Sequence, residues 1–348
     1  MRAAYLTGLN QVEIRPAPAP GPPGPREVLL RINTVGVCGS DMHYYTQGRI
    51  GPQVVEYPHI LGHECAGTIL EIGNDVQGLR VGERVAVDPL VPCGNCDQCR
   101  AGRKHTCRNQ KFLGNPGQLP GALVNYLVLP AECCSPVPDA LDDDQTAAVE
   151  PLSIGIYAAE MARLTPGAQA GILGSGPIGL CTLLAIRANV EATVYVTDLL
   201  DERLTVARTC GADWTGNPRR EDVVVAIRRM APLGLDVVFE CAGEQETLDQ
   251  GLELLKPGGA LLVIGIPEVE RISFDANLPR RNELRILHVR RQNECVEPAI
   301  DLIASGRINV RPLITHHFLF EETPQAFQLV SARRDGVVKA IIQVSPGE

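Results

Sequence analysis

The sequence predicts an α/β chain of two domains, the first rich in β-strand and the second a doubly wound parallel sheet, and three observations predict it. At 348 residues the chain exceeds one ordinary hydrophobic core, and roughly 150 residues per domain implies two, with a cleft between them. Up to about residue 150, short apolar runs are broken by Gly and Pro; beyond it, helix-length apolar stretches alternate with short Val/Ile/Leu runs. That alternation marks a parallel sheet covered by helices. A content of 45% hydrophobic residues with 34 Gly and 27 Pro fits a globular, loop-rich protein rather than a disordered or fibrous one.

In chain order, strands are expected at 27–35, 66–72, 84–87 and 124–129, a β-rich region with functional loops. The Pro/Gly segment 18–25 reads as an exposed linker, and Asp142, Asp143 and Asp144 as a helix start, where acidic groups complement the helix dipole. Buried strands follow at 170–173, 193–197, 236–239 and 260–264. After about Glu283 come a strand, a helix at 296–304, a helix at 324–332 and a last strand at 337–344. The expected division is 1–150, then 151–288, with 289–348 returning to the first domain.

Charge and cysteine content exclude several classes. The net charge is −9, with 41 acidic against 32 basic residues and no long basic run, so neither nucleic acid nor an anionic membrane is an expected partner. The first residues lack the apolar core of a signal peptide, and no stretch approaches the roughly 20 apolar residues that span a bilayer; the expected location is the cytoplasm. Twelve cysteines, clustered at metal spacing, are expected as reduced thiols. Cys133, Cys134, Cys181, Cys210 and Cys241 sit in apolar surroundings and read as buried small side chains, and His316 and His317 as a strand-end pair.

Three constellations carry chemistry. Cys93, Cys96, Cys99 and Cys107 span 15 residues, short enough for one loop to wrap a tetrahedral Zn²⁺, with Gly94, Asn95 and Gly102 supplying turns. Cys38, His63 and Glu64 are a thiol, an imidazole and a carboxylate suited to a second, catalytic Zn²⁺ with an open position, and Glu150 is an exchangeable ligand or water partner. Gly174, Gly176 and Gly179 follow a strand and open a helix that ends near Arg187. These glycines permit a tight turn, close backbone approach to a pyrophosphate and close helix packing, as a dinucleotide requires. Asp198 lies 24 positions beyond Gly174; its carboxylate suits ribose hydroxyls and repels a 2′-phosphate, so NAD is preferred over NADP, with Arg203 the nearby cation that opposes this.

The run Gly62-His-Glu-Cys-Ala-Gly67, continuing through Gly73 to Val76, resembles the zinc signature of medium-chain, zinc-dependent alcohol dehydrogenases, and the resemblance covers nearly the whole chain. Cys38-Gly-Ser-Asp-Met-His-Tyr44, Gly48-Arg-Ile-Gly51, Glu150-Pro-Leu-Ser153 and Val196-Thr-Asp198 resemble the sorbitol (L-iditol) and polyol dehydrogenase branch. The resemblance implies a GroES-like catalytic domain, a Rossmann coenzyme domain and a homotetramer. It implies that Cys38, His63 and Glu64 bind the catalytic zinc, that Glu150 contacts it or its water, and that Tyr44 and Arg290 face the substrate, where Glu150 and Arg291 are also expected. Coenzyme contacts are implied for Pro177, Ile178, Asp198, Arg203, Ile264, Ile266, Val289 and Arg290. Arg291 departs from the pattern, standing where sorbitol dehydrogenases commonly have tyrosine; it suits a more oxidised or acidic sugar, the coenzyme phosphates, or solvent.

The chemistry expected is oxidation of a secondary alcohol, such as a sugar alcohol, to a ketone with hydride passing to NAD, and Ser40 and His43 carrying the proton toward solvent. Two rivals remain: a threonine or simple-alcohol dehydrogenase on the same scaffold, and a non-catalytic nucleotide-binding protein resembling quinone reductases.

Overall fold

In a computed structural model of the chain, residues 1–345 are described. They divide into two compact units: one holds Met1–Glu150, Val296–Ser305 and the chain from Ile314 on, the other Pro151–Cys295 and Gly306–Leu313.

The first unit is built on a seven-stranded sheet whose path runs Cys134–Pro136, Arg84–Val87, Glu64–Ile72, Glu27–Gly36, Lys339–Gln343, Ile314–Leu319, with Tyr126–Pro130 also pairing Glu27–Gly36. Glu27–Gly36 alternates half-buried and buried positions over its first half and is buried throughout its second, so Val28, Leu30 and Ile32 face the core. It runs antiparallel to Glu64–Ile72, setting Gly36 opposite Glu64, and antiparallel to Lys339–Gln343, setting Gly36 opposite Ile341. Three distant stretches therefore meet at one sheet position. Ile32, Leu30, Ile69, Val85, Phe320 and Phe327 fill the core beneath; each such side chain contributes about 1.5–3 kcal/mol by leaving water. Asp142 does start a helix, Asp143–Ala147: its side chain accepts from Gln145 N at 2.8 Å, satisfying a donor that the first helical turn leaves open.

The second unit is a six-stranded parallel sheet in the order Trp214–Gly216, Ala192–Thr197, Ala168–Leu173, Leu235–Glu240, Leu255–Val263, Arg285–His288. Chain order reverses direction between Ala168–Leu173 and Leu235–Glu240, the switch point outside which ligands bind in open α/β sheets. Leu173, Val238, Leu252 and Leu261 pack its core. No helix among the described residues is long and apolar enough to cross a membrane.

Candidate functional site

Cys38 closes the amino end of the helix Gly39–Gln47, and Asp41, 1% exposed, binds back from its first turn. Asp41 Oδ2 accepts from Cys38 N at 3.1 Å, and Oδ1 accepts from Gly62 N at 3.3 Å and lies 3.6 Å from His63 Nδ1. One carboxylate thus fixes the segments that bear Cys38 and His63. Between those two side chains stands Ser40, whose hydroxyl is 3.4 Å from Cys38 Sγ and 3.5 Å from His63 Nε2. His43 lies one turn further along the helix and is half-buried. Burial acts to lower the His63 pKa, but the Cys38 sulfur and Asp41 overcome it and hold it well above the usual histidine value. Burial, reinforced by Glu64, pushes the Cys38 thiol up.

Glu64 is buried at 1% exposure, and both of its oxygens meet the ammonium of Lys339, Oε1 at 2.7 Å and Oε2 in a shorter contact. Lys339 is itself buried and also donates to the Val37 carbonyl at 3.1 Å, one residue before Cys38. The missing side chain at Gly36 leaves room for this pair, since a Cβ there would stand 2.4 Å from Glu64 Oε2. Glu150 is 6% exposed; burial first, then the like charge of Glu64, raises it to about 7, against the opposing charges of His63 and Lys339. A half-buried thiol, a buried imidazole and two buried carboxylates, electrostatically coupled, are by residue type a donor set that fits Zn²⁺. Lys339 and Asp41 are members of this cluster that reading the sequence missed. The signal for Lys339 was a single cation inside the apolar run Val337-Val-Lys-Ala-Ile-Ile342, which needs a buried anion as partner.

The four loop cysteines do converge: their sulfurs all lie within 4.8 Å of one another, which among the described residues is the one such group of metal-capable atoms. Cys96 Sγ is 3.6 Å from Cys99 Sγ and 3.9 Å from Cys107 Sγ, close to the about 3.8 Å edge of a tetrahedron with Zn–S bonds near 2.3 Å. Gly94 and Gly102 have φ of 72° and 71°, the left-handed turns the wrap needs. Backbone N–H groups of Arg108 and Cys99 pull the Cys96 pKa down to about 6, which favours the thiolate a metal takes. Asp97 and Arg108 clamp the loop from outside with bonds of 2.5 and 2.9 Å. None of the twelve cysteines is in a disulfide.

In the second unit the glycine motif joins the strand Ala168–Leu173 to the helix Pro177–Asn189, with Gly176 as its amino-terminal cap and Pro177 its first residue. Gly174 has φ 99°, and a Cβ on Gly179 would stand 1.9 Å from Gly174 O, so both glycines are required by the turn. Ile178 lies in the first helical turn. Asp198 follows Ala192–Thr197; its Oδ2 accepts from Ser175 N at 2.8 Å and Ser175 Oγ at 3.1 Å, and its Oδ1 from Leu200 N at 2.9 Å. The carboxylate is thereby tied to the glycine loop itself. Arg203 Nη1 comes within 3.5 Å of the Gly176 Cβ position. Ile264 N donates to Glu240 O at 2.9 Å and Val289 N to Val263 O at 2.9 Å, with Ile266 exposed nearby.

Of the remaining residues, Tyr44 is buried with its hydroxyl 3.4 Å from both Gln53 Oε1 and Asn115 Oδ1. Arg290 and Arg291 follow the edge strand Arg285–His288, and Arg291 has φ 55°. His316 meets Asp335 at 3.3 Å and His317 meets Asp144 at 2.6 Å.

Two units, one with a converging four-cysteine loop and one with a dinucleotide-type glycine turn, are the architecture of a zinc-binding dehydrogenase. Residues 24–139 match the alcohol dehydrogenase GroES-like domain and residues 177–305 the zinc-binding dehydrogenase domain. The chain belongs to the zinc-dependent medium-chain alcohol dehydrogenase family. It is 36% identical to the sorbitol dehydrogenase of Bacillus subtilis over 343 residues, 98% of this chain and 97% of that one. A zinc-binding dehydrogenase structure from Sinorhizobium meliloti, bound to NADP, superposes with TM-score 0.90 at 30% identity. An alcohol dehydrogenase structure from Escherichia coli CFT073, with NADH, superposes with TM-score 0.89 at 29% identity; for both structures 99% of each chain is covered. Relatives thus carry either dinucleotide, and this chain's own residues decide between them.

Proposed function

We propose that this chain oxidises a secondary alcohol of a polyol, such as sorbitol, xylitol or galactitol, to the ketose with NAD as hydride acceptor. The observation that carries the reading is half-buried Cys38 linked through Ser40 and Asp41 to buried His63, with buried Glu64 and Glu150 electrostatically coupled to it, apart from the four-cysteine loop in the same unit. The similarity to a sorbitol dehydrogenase supports the polyol. In this reading Cys38, His63, Glu64 and Glu150 hold one Zn²⁺, and Cys93, Cys96, Cys99 and Cys107 hold another that only stiffens its loop. When bound, the first ion lowers the pKa of an alcohol hydroxyl toward neutrality.

The chain's residues do the rest. Ser40, in contact with both Cys38 and His63, takes the hydroxyl proton and passes it toward His43 and solvent. Tyr44, Glu150, Arg290 and Arg291 orient the polyol. The dinucleotide lies on the Gly174, Gly176 and Gly179 turn at Pro177 and Ile178, with Arg203, Ile264, Ile266, Val289 and Arg290 as further contacts. Asp198, anchored on both oxygens, presents fixed negative charge where NADP would place a phosphate, which favours NAD. The catalytic domain is residues 1–150 with 289–348, and the coenzyme domain 151–288. A cytoplasmic homotetramer without nucleic-acid or membrane partners completes the proposal.

The test is a panel of polyols, threonine and primary alcohols, each with NAD and with NADP, followed by nicotinamide absorbance. Fastest turnover on a polyol with NAD is expected; a preference for threonine or a primary alcohol would replace the polyol assignment.

A further inference from the structure

We propose that Glu240 is a positioning residue for the coenzyme: it fixes the backbone that a nicotinamide dinucleotide must meet at the carboxyl ends of two neighbouring strands. The proposal rests on reading the Gly174 turn as a dinucleotide site. Glu240 ends the strand Leu235–Glu240 beside the switch point and is fully buried. Its Oε1 accepts from Ala242 N at 2.8 Å, Gly243 N at 2.7 Å and Thr247 Oγ1 at 2.8 Å. Its main-chain carbonyl accepts from Ile264 N at 2.9 Å and Gly265 N at 3.0 Å. One residue thus ties the loop after its own strand to the loop after Leu255–Val263.

Glycines let these loops touch. A Cβ on Gly265 would stand 2.2 Å from Gly243 N and 2.8 Å from Glu240 Oε2, and a Cβ on Gly174 would stand 3.0 Å from Ala242 N. The phosphate turn therefore rests on the backbone that Glu240 holds, and a shift of residues 242–243 reaches Gly174 on one side and Gly265 on the other. No cation among the described residues pairs with Glu240; every donor to its side chain is a neutral N–H or O–H, and its Oε2 is buried with no partner among the described residues. A carboxyl in that setting serves through the acceptor Oε1, a role that a glutamine amide can also fill.

The test titrates NADH by fluorescence into the zinc-loaded full-length protein and its Glu240→Ala, Glu240→Gln and Thr247→Val variants. Glu240→Ala should raise the NADH Kd and the coenzyme KM about tenfold or more, with kcat at saturating NAD kept within about twofold. Glu240→Gln should stay within about threefold of the parent. Thr247→Val, which keeps both N–H bonds, should shift the Kd about two- to fivefold and decides the matter if Glu240→Ala does not fold. An unchanged Kd in Glu240→Ala or Thr247→Val overturns the proposal, as does a Gln variant as weak as the Ala variant. Failure of the parent protein itself to bind NADH would instead overturn the dinucleotide reading.

Discussion

Lys339 and Glu64 form an ion pair sealed from water, with side chains 5% and 1% exposed. Removing one partner strands a buried charge, so Lys339→Met should cost about 3–5 kcal/mol in denaturant unfolding, and adding Glu64→Gln should recover most of it. A single-variant loss below 1 kcal/mol would show that the pair is open to solvent. Glu240 gives a prediction with a different sign. Burial raises its pKa despite the Thr247 hydroxyl and the N–H donors that lower it, so the folded state binds its proton more tightly than the unfolded chain does. Its stabilising contribution is complete below the ordinary glutamate value and is lost as pH rises through the folded one. Denaturation midpoints of the parent should therefore fall relative to Glu240→Gln as pH climbs through that window, and parallel curves would contradict the shift. Cys38, His63, Glu64 and Glu150 were candidates from the sequence on residue type and on the adjoining His63-Glu64 pair. Asp41 was not, because an aspartate three residues after a cysteine is an ordinary helix cap until His63 and Gly62 are seen against it.

Elements with a strong local signal read well: the helix Val296–Ala304 and the strand Arg84–Val87 stand where apolar spacing put them. Two-residue strands such as Arg49–Ile50 and His59–Ile60 were not legible, since two residues carry no period. The strand expected at 260–264 begins earlier, at Leu255, and includes Pro257 and the glycine pair 258–259, breakers that read as a loop. The four-cysteine loop was legible because its metal spacing is local. Cys99→Ser should lower bound zinc from about two ions per chain to about one and leave NADH affinity unchanged; retained zinc by elemental analysis would contradict the site. At the carboxyl end of the strand Ala192–Thr197, Asp198→Asn should erode the preference for NAD over NADP by about tenfold or more, read as the ratio of kcat/KM values. An unchanged ratio would assign the selectivity to other residues.

Over the whole chain, the change of texture near Glu150 was visible because hydrophobic period is a property of neighbours. Which strands then pair was not, because Gly36 meets Glu64 and Ile341 across about 28 and 305 residues of sequence, and pairing at such separation leaves no local mark. Lys339 thus reaches Glu64 only through tertiary structure. The proposed function requires two zinc ions, one of them chemically essential, in a chain that passes hydride from a secondary alcohol to NAD. The direct measurement is turnover on sorbitol with NAD after chelation under conditions that strip the Cys38 site, followed by zinc readdition, with zinc per chain determined at each stage. Activity that falls with loss of the ion and returns with it is the predicted result; full activity in protein shown to be free of zinc would contradict it.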